Sequence, residues 1–201
     1  MRASMKVMLL VAVFLLSTSS VGQECEALKT SSVEKLTEYL QHAGDSAEVA
    51  PCVQVAFHRM AVLPSEQAIP LLITYLGYKR PLNESERNGF FMHAKAPDVL
   101  YPAVQELFVI GSPAEPALIG FIAKNKDNAG PESKNAVYTL LLIRHGDVVS
   151  VIQELHKASV SSTSDEARDR LQAAAREAMK WCDDRAHAQC EDALKASDSG
   201  G

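Results

Sequence analysis

Among side chains able to do chemistry, the cysteines are the most informative. The chain holds four, Cys25, Cys52, Cys182 and Cys190. None lies in a Cys-x-x-Cys pair, so a thiol–disulfide active site and a zinc ribbon both lack their motif. An even number fits two disulfides, with three possible connectivities. Cys182 and Cys190 are eight residues apart. On one unbroken helix their Cα atoms would stand about 12 Å apart, beyond the roughly 7 Å that a bridge tolerates. They pair only if Asp183-Asp184 breaks the helix. Cys25 and Cys52 flank a helix, and they pair only if residues 25–31 run back along it. The two local pairs are the expected ones, each stabilising by roughly 2–4 kcal/mol if unstrained.

The six histidines are His42, His58, His93, His145, His156 and His187. They form neither His-x-x-x-His nor His-Glu-x-x-His. His187 alone has a second ligand at helical spacing, Cys190, and zinc there would need thiols that an oxidising compartment removes. His145 stands in a helix–helix turn and is expected to cap carbonyls. Gly-x-Ser-x-Gly is missing, and so is a glycine-rich phosphate loop. The carboxylate pairs Asp183-Asp184 and Glu84/Glu86 fall in polar stretches and are expected to be solvated faces, not acid–base catalysts. No catalytic residue, metal ligand or cofactor is therefore expected, and the protein is expected not to be an enzyme.

The stretch at 79–98, KRPLNESERNGFFMHAKAPD, is different. It sets an apolar knot, Phe90-Phe91-Met92, among charges. Either these side chains plug a gap in the core beneath the loop, or they are exposed and anchor a partner, as aromatic and Met residues do at interfaces. With Lys79 and Arg80 they are the candidate partner contacts. Asn83-Glu84-Ser85 is an N-glycosylation sequon, of consequence in a eukaryotic host.

The compartment follows from the N-terminus. Arg2 and Lys6 precede an apolar run at 7–16, and small residues follow at Ser20 and Gly22. That is the pattern of a signal peptide cleaved after Gly22. A spanning helix needs roughly 20 apolar residues, about twice this run. Gln23-Glu24 before Cys25 is wrong for lipid attachment. The mature chain is expected to be exported, periplasmic or secreted, with no membrane insertion after cleavage. Loss of Arg2 and Lys6 takes the formal charge from −5 to −7. Such acidity excludes nucleic acid, whose binding rests on clustered Lys and Arg.

The elements that position these residues are helices. Ser31 with Glu34 makes a capping-box signal, followed by apolar positions to Ala43 and a stop at Gly44. Asp45 and Ser46 offer the next N-cap, and Val53, Ala56, Phe57 and Met60 share one face. Further helices are expected over 66–78, 99–110, 114–124, 133–144, 148–158, 165–181 and 184–196. No stretch alternates as a strand would. One domain at 23–196 with a disordered tail at 197–201 is expected.

Ala68-Ile69-Pro70-Leu71-Leu72 and Ala114-Glu115-Pro116-Ala117-Leu118 share Ala-x-Pro-x-Leu, 46 residues apart. A weaker copy at 148–152 follows 34 residues on, and a twelve-residue insertion within 79–98 reduces the first interval to the same period. The helices at 55–62, 103–110 and 136–143 align in front of these copies. Residues 110–119, and more loosely 64–73, resemble the inner part of a HEAT repeat, a likeness covering residues about 48–158. The resemblance implies a short solenoid of stacked antiparallel helix pairs with a concave binding face, capped by the helices at 26–43 and 165–196. Neighbouring pairs would bury a continuous core that no single pair closes. An ordinary helical bundle is the alternative. The expected function is an exported scaffold that binds a protein or peptide on its helices. The alternatives are an envelope inhibitor or immunity-type protein acting through 79–98, and an accessory or lyase role such as some HEAT-like families have.

Overall fold

A computed structural model describes residues 22–88 and 96–198, and all regular structure in them is helical. The expected signal segment, Gly22 apart, and the Phe90-Phe91-Met92 knot lie outside the described residues. The helices are α1 (residues 22–28), α2 (Val33–His42), α3 (Ala50–Ala61), α4 (Ser65–Ile73), α5 (Glu84–Asn88), α6 (Pro97–Leu100), α7 (Pro102–Ile110), α8 (Glu115–Lys124), α9 (Pro131–Ile143), α10 (Val148–Val160), α11 (Asp165–Met179) and α12 (His187–Asp198). Residues 197 and 198 of the expected tail belong to α12, which runs through Asp198; the rest of it lies outside the described residues.

Several boundaries differ from the sequence pattern for local reasons. Ser31 does not cap α2: its hydroxyl donates to the Ala27 carbonyl at 2.9 Å, and the N-cap position is Ser32. α3 starts at Ala50, later than Asp45 and Ser46 suggest, with Pro51 in its first turn. The expected helix over 66–78 ends at Ile73. Beyond it the chain tightens to i→i+3 bonds, Tyr75 N to Leu72 O at 3.0 Å and Leu76 N to Ile73 O at 3.2 Å, as helix C-termini often do. The expected helix over 99–110 is broken at Tyr101 (φ −118°, ψ 93°). Pro102 follows it, and the proline ring excludes helical geometry from the residue before it.

The helices pack in two rows. α2, α3, α7 and α9 lie side by side in one; α4, α8 and α11 form the other. Phe57, Met60, Leu72, Leu107, Leu118 and Ile122 are fully buried between them. α9 is buried almost all round, including Asn135, whose Nδ2 donates to the Leu76 carbonyl at 2.6 Å. That bond satisfies one of the acceptors freed where α4 unwinds.

The third pair departs from a regular stack. α10 scarcely touches α9 and packs instead on α11 and α12, while α11 takes the place beside α8 and α9. α11 therefore packs between α8 and α10 and is not a terminal cap. One face is buried at Leu171, Ala174, Ala175 and Ala178, the other faces water at Glu166, Asp169 and Arg176, and Arg170 donates to the Ala123 carbonyl at 3.0 Å. α7 and α8, which carry the clearest repeat motif, meet at a 110° corner, not as an antiparallel hairpin. His145 adopts φ 53°. Its N–H bonds Leu142 O at 3.0 Å and that of Gly146 bonds Leu141 O at 2.8 Å, so the backbone, not the imidazole, closes α9 in a Schellman turn.

Both local disulfides form. α1 folds back so that Cys25 meets Cys52 in the first turn of α3, Cα–Cα 4.7 Å. The helix break at 182–186 brings Cys182 to Cys190, Cα–Cα 6.6 Å. Asp183 makes that break, its carboxylate accepting from the Ala186 N–H at 2.8 Å.

Candidate binding cleft on the α3–α7 face

Two adjoining depressions lie over α3 and α7. The first, about 640 Å³, is an apolar groove along α3 between Pro51, Val55 and Val62, edged by Lys29 and Arg59. The second, about 490 Å³, sets charged and amide groups beside Val99 and Pro102. α3 supplies Gln54 and His58, α7 supplies Gln105 and Glu106, and the 79–98 segment supplies Arg80, Glu86 and Asp98. Gln54 and His58 belong to both. One helical turn separates these two residues, which places them on the ridge between the depressions.

Across the polar cleft His58 Nδ1 stands 3.7 Å from Glu106 Oε1, with the imidazole in solvent and the carboxylate mostly covered. Burial pushes the Glu106 carboxyl above its ordinary value, and the nearby imidazole opposes the shift. The described lining offers carboxylates, amides, an imidazole and a guanidinium, but no hydroxyl or thiol nucleophile. Such a set can orient and hydrogen-bond an occupant. Outside the cleft lining, Tyr138 of α9 donates its hydroxyl to Asp98 Oδ1 at 3.3 Å. Burial and that carboxylate together raise the tyrosine above its ordinary value, so it remains a donor.

Arg80 is not the exposed contact expected from its sequence. Its side chain is 3 % exposed and pairs with Glu86 through Nη2 at 2.6 Å and Nη1 at 2.9 Å. Its Nε donates to Val99 O at 2.6 Å, and its own N–H bonds Leu100 O at 3.0 Å. Glu86 is not a solvated carboxylate either. Those hydrogen bonds hold it below the ordinary range, and it closes a capping box with Asn83: the Asn83 N–H donates to Glu86 at 2.9 Å and the Glu86 N–H to Asn83 Oδ1 at 2.8 Å. Arg87 ties the same turn to the Asp45 carbonyl before α3. The described part of the insertion is thus clamped onto the cleft as one wall. Lys79 is exposed and lies outside the cleft lining; Phe90, Phe91 and Met92 lie outside the described residues.

His58 and Glu106 were not singled out by motif. One signal in the sequence marks them. In the aligned helices 55–62 and 103–110 they occupy the same position, and equivalent positions on neighbouring helices of a stack lie side by side on one face. Among the described residues, no group of three or more His, Cys, Asp or Glu side chains is placed to hold a metal ion.

No protein-family model matches the chain, and neither does any curated protein or solved structure.

Proposed function

We propose that this is an exported, non-enzymatic helical scaffold that recognises a segment of a protein or peptide across its α3–α7 face. The observation that carries this reading is the continuity of the apolar groove with the polar cleft. An apolar side chain has Val55, Pro51 and Val62 to bury against, and polar groups of the same segment reach Gln54, Gln105 and Glu106. Val62 is 57 % exposed and Val109, at the end of α7, 66 %. These exposed apolar residues rimmed by polar ones suit an interface. The side-by-side packing of α3 and α7 lets these neighbouring helices present one face together. Two disulfides support an oxidising compartment.

Display selection of peptides on the mature chain tests the recognition. Selected segments carry an apolar anchor, and Val62→Glu weakens them at least tenfold by placing a charge in the groove. Selected binding that Val62→Glu and Val55→Glu leave unchanged would refute this site. Fusion of residues 1–22 to an export-dependent reporter tests the compartment, and a silent reporter removes it.

A further inference from the structure

Trp181 is the chain's single tryptophan. It is 51 % exposed, although a ring of this size is usually covered. It follows α11 and leads directly into Cys182, whose bridge to Cys190 pins the backbone beside it. Its ring lies 4.9 Å from that of Tyr138, tilted by 46°, so the two rings form an open wedge and not a flat platform. The Tyr138 hydroxyl meets the Asp98 carboxylate, which lines the polar cleft with Glu106. Side-chain contacts through Asp98 and Tyr138 therefore link the cleft lining to the indole.

We infer that Trp181, Tyr138 and Asp98 form a station for a cationic side chain, lysine or arginine, of the segment bound on the α3–α7 face. The inference rests on the function proposed above and adds the charge of the partner. A cation over an indole is attracted by the ring's quadrupole, more strongly than over any other aromatic side chain. Asp98 supplies the counter-charge, and no ion pair with Asp98 occurs among the described residues. Lys180, the nearest cation in sequence, pairs with Glu177 at 2.5 Å. The charge of the whole chain, −5, draws a basic segment in and keeps an acidic one out. The clamped backbone leaves little to order on binding.

Trp181 reports directly on its own occupancy. Tetralysine, tetraglutamate and a neutral oligosaccharide are titrated into the full mature chain, following tryptophan emission and heat. Tetralysine is expected to give a saturable emission change that weakens with salt; tetraglutamate is expected to give none. Trp181→Ala and Asp98→Asn each reduce tetralysine affinity, by about tenfold and about fivefold, and Trp181→Phe keeps most of it. Emission that ignores tetralysine, or affinity unchanged in both Asp98→Asn and Trp181→Ala, overturns the station, and saturation by the oligosaccharide alone assigns the wedge to glycans instead. Val62→Glu, which disables the groove, separates the two readings: a tetralysine response that survives it belongs to the station.

Discussion

Arg80 and Glu106 show how two charges on one cleft wall do opposite things. Arg80 is covered and satisfied, with Glu86 as its counter-ion. Removing that counter-ion leaves a covered cation with carbonyl partners but no counter-charge, so Glu86→Gln is expected to cost about 3 kcal/mol in denaturant unfolding. Glu106 is covered without a full partner. Its carboxyl is raised by burial, so its contribution to stability is fully present below about pH 4.5, its unfolded value, and is lost as pH rises through the folded value. Glu106→Gln should therefore raise the melting temperature at neutral pH and change it little near pH 3.5. Equal effects at both pH values would show that the carboxyl ionises freely. Beyond the equivalent placing of His58 and Glu106 in the aligned helices, none of this was legible in sequence. Lys79-Arg80 looks like any solvated basic pair, and what buries Arg80 is the α6 backbone nineteen residues away. The cysteine pairs were legible, because the spacing of Cys182 and Cys190 demands a break that Asp183 visibly supplies.

Helical periodicity marked most elements correctly, since a stripe of apolar positions every three or four residues is a local property. Their ends and partners were not local. Pro102 broke a predicted helix through a clash with the residue before it. The order of α9, α10 and α11 was beyond the pattern altogether. α11 looks like a polar cap because only a narrow seam, Leu171, Ala174, Ala175 and Ala178, is apolar. Small side chains let it settle closely against α8 and α10. Its buried seam predicts a core-sized penalty: Leu171→Ala, at 1 % exposure, should cost about 3 kcal/mol. A change under about 1 kcal/mol would return that seam to the surface. The described part of the 79–98 insertion is likewise anchored, through Arg80, Glu86 and Arg87, and is not a free loop. Deleting it removes Glu86 from beneath Arg80, so substitutions at Phe90 and Phe91 are the cleaner probe of partner capture.

Over the whole molecule, the two bridges close loops of 27 and 8 residues and no bridge spans the helical rows. Loop-closure entropy gives about 3.5 kcal/mol for Cys25–Cys52 and about 2.5 kcal/mol for Cys182–Cys190. Replacing each pair by serine should lower unfolding free energy by those amounts. Amide exchange should rise first in α1 for the former pair and in α12 for the latter, while α7 and α9 stay protected. The rows hold by packing, in a core continuous from Leu36 to Leu171, and by polar links such as Asn135 to the Leu76 carbonyl and Arg144 to Glu115.

Both bridges join cysteines that are consecutive in the chain. A polypeptide threaded through a membrane N-terminus first presents Cys25, then Cys52, and only much later Cys182 and Cys190. An oxidant that couples thiols in order of arrival makes the native pattern with no later shuffling. Export hosts lacking a disulfide isomerase should therefore yield this protein as well as isomerase-containing ones do, whereas hosts lacking the oxidant should not.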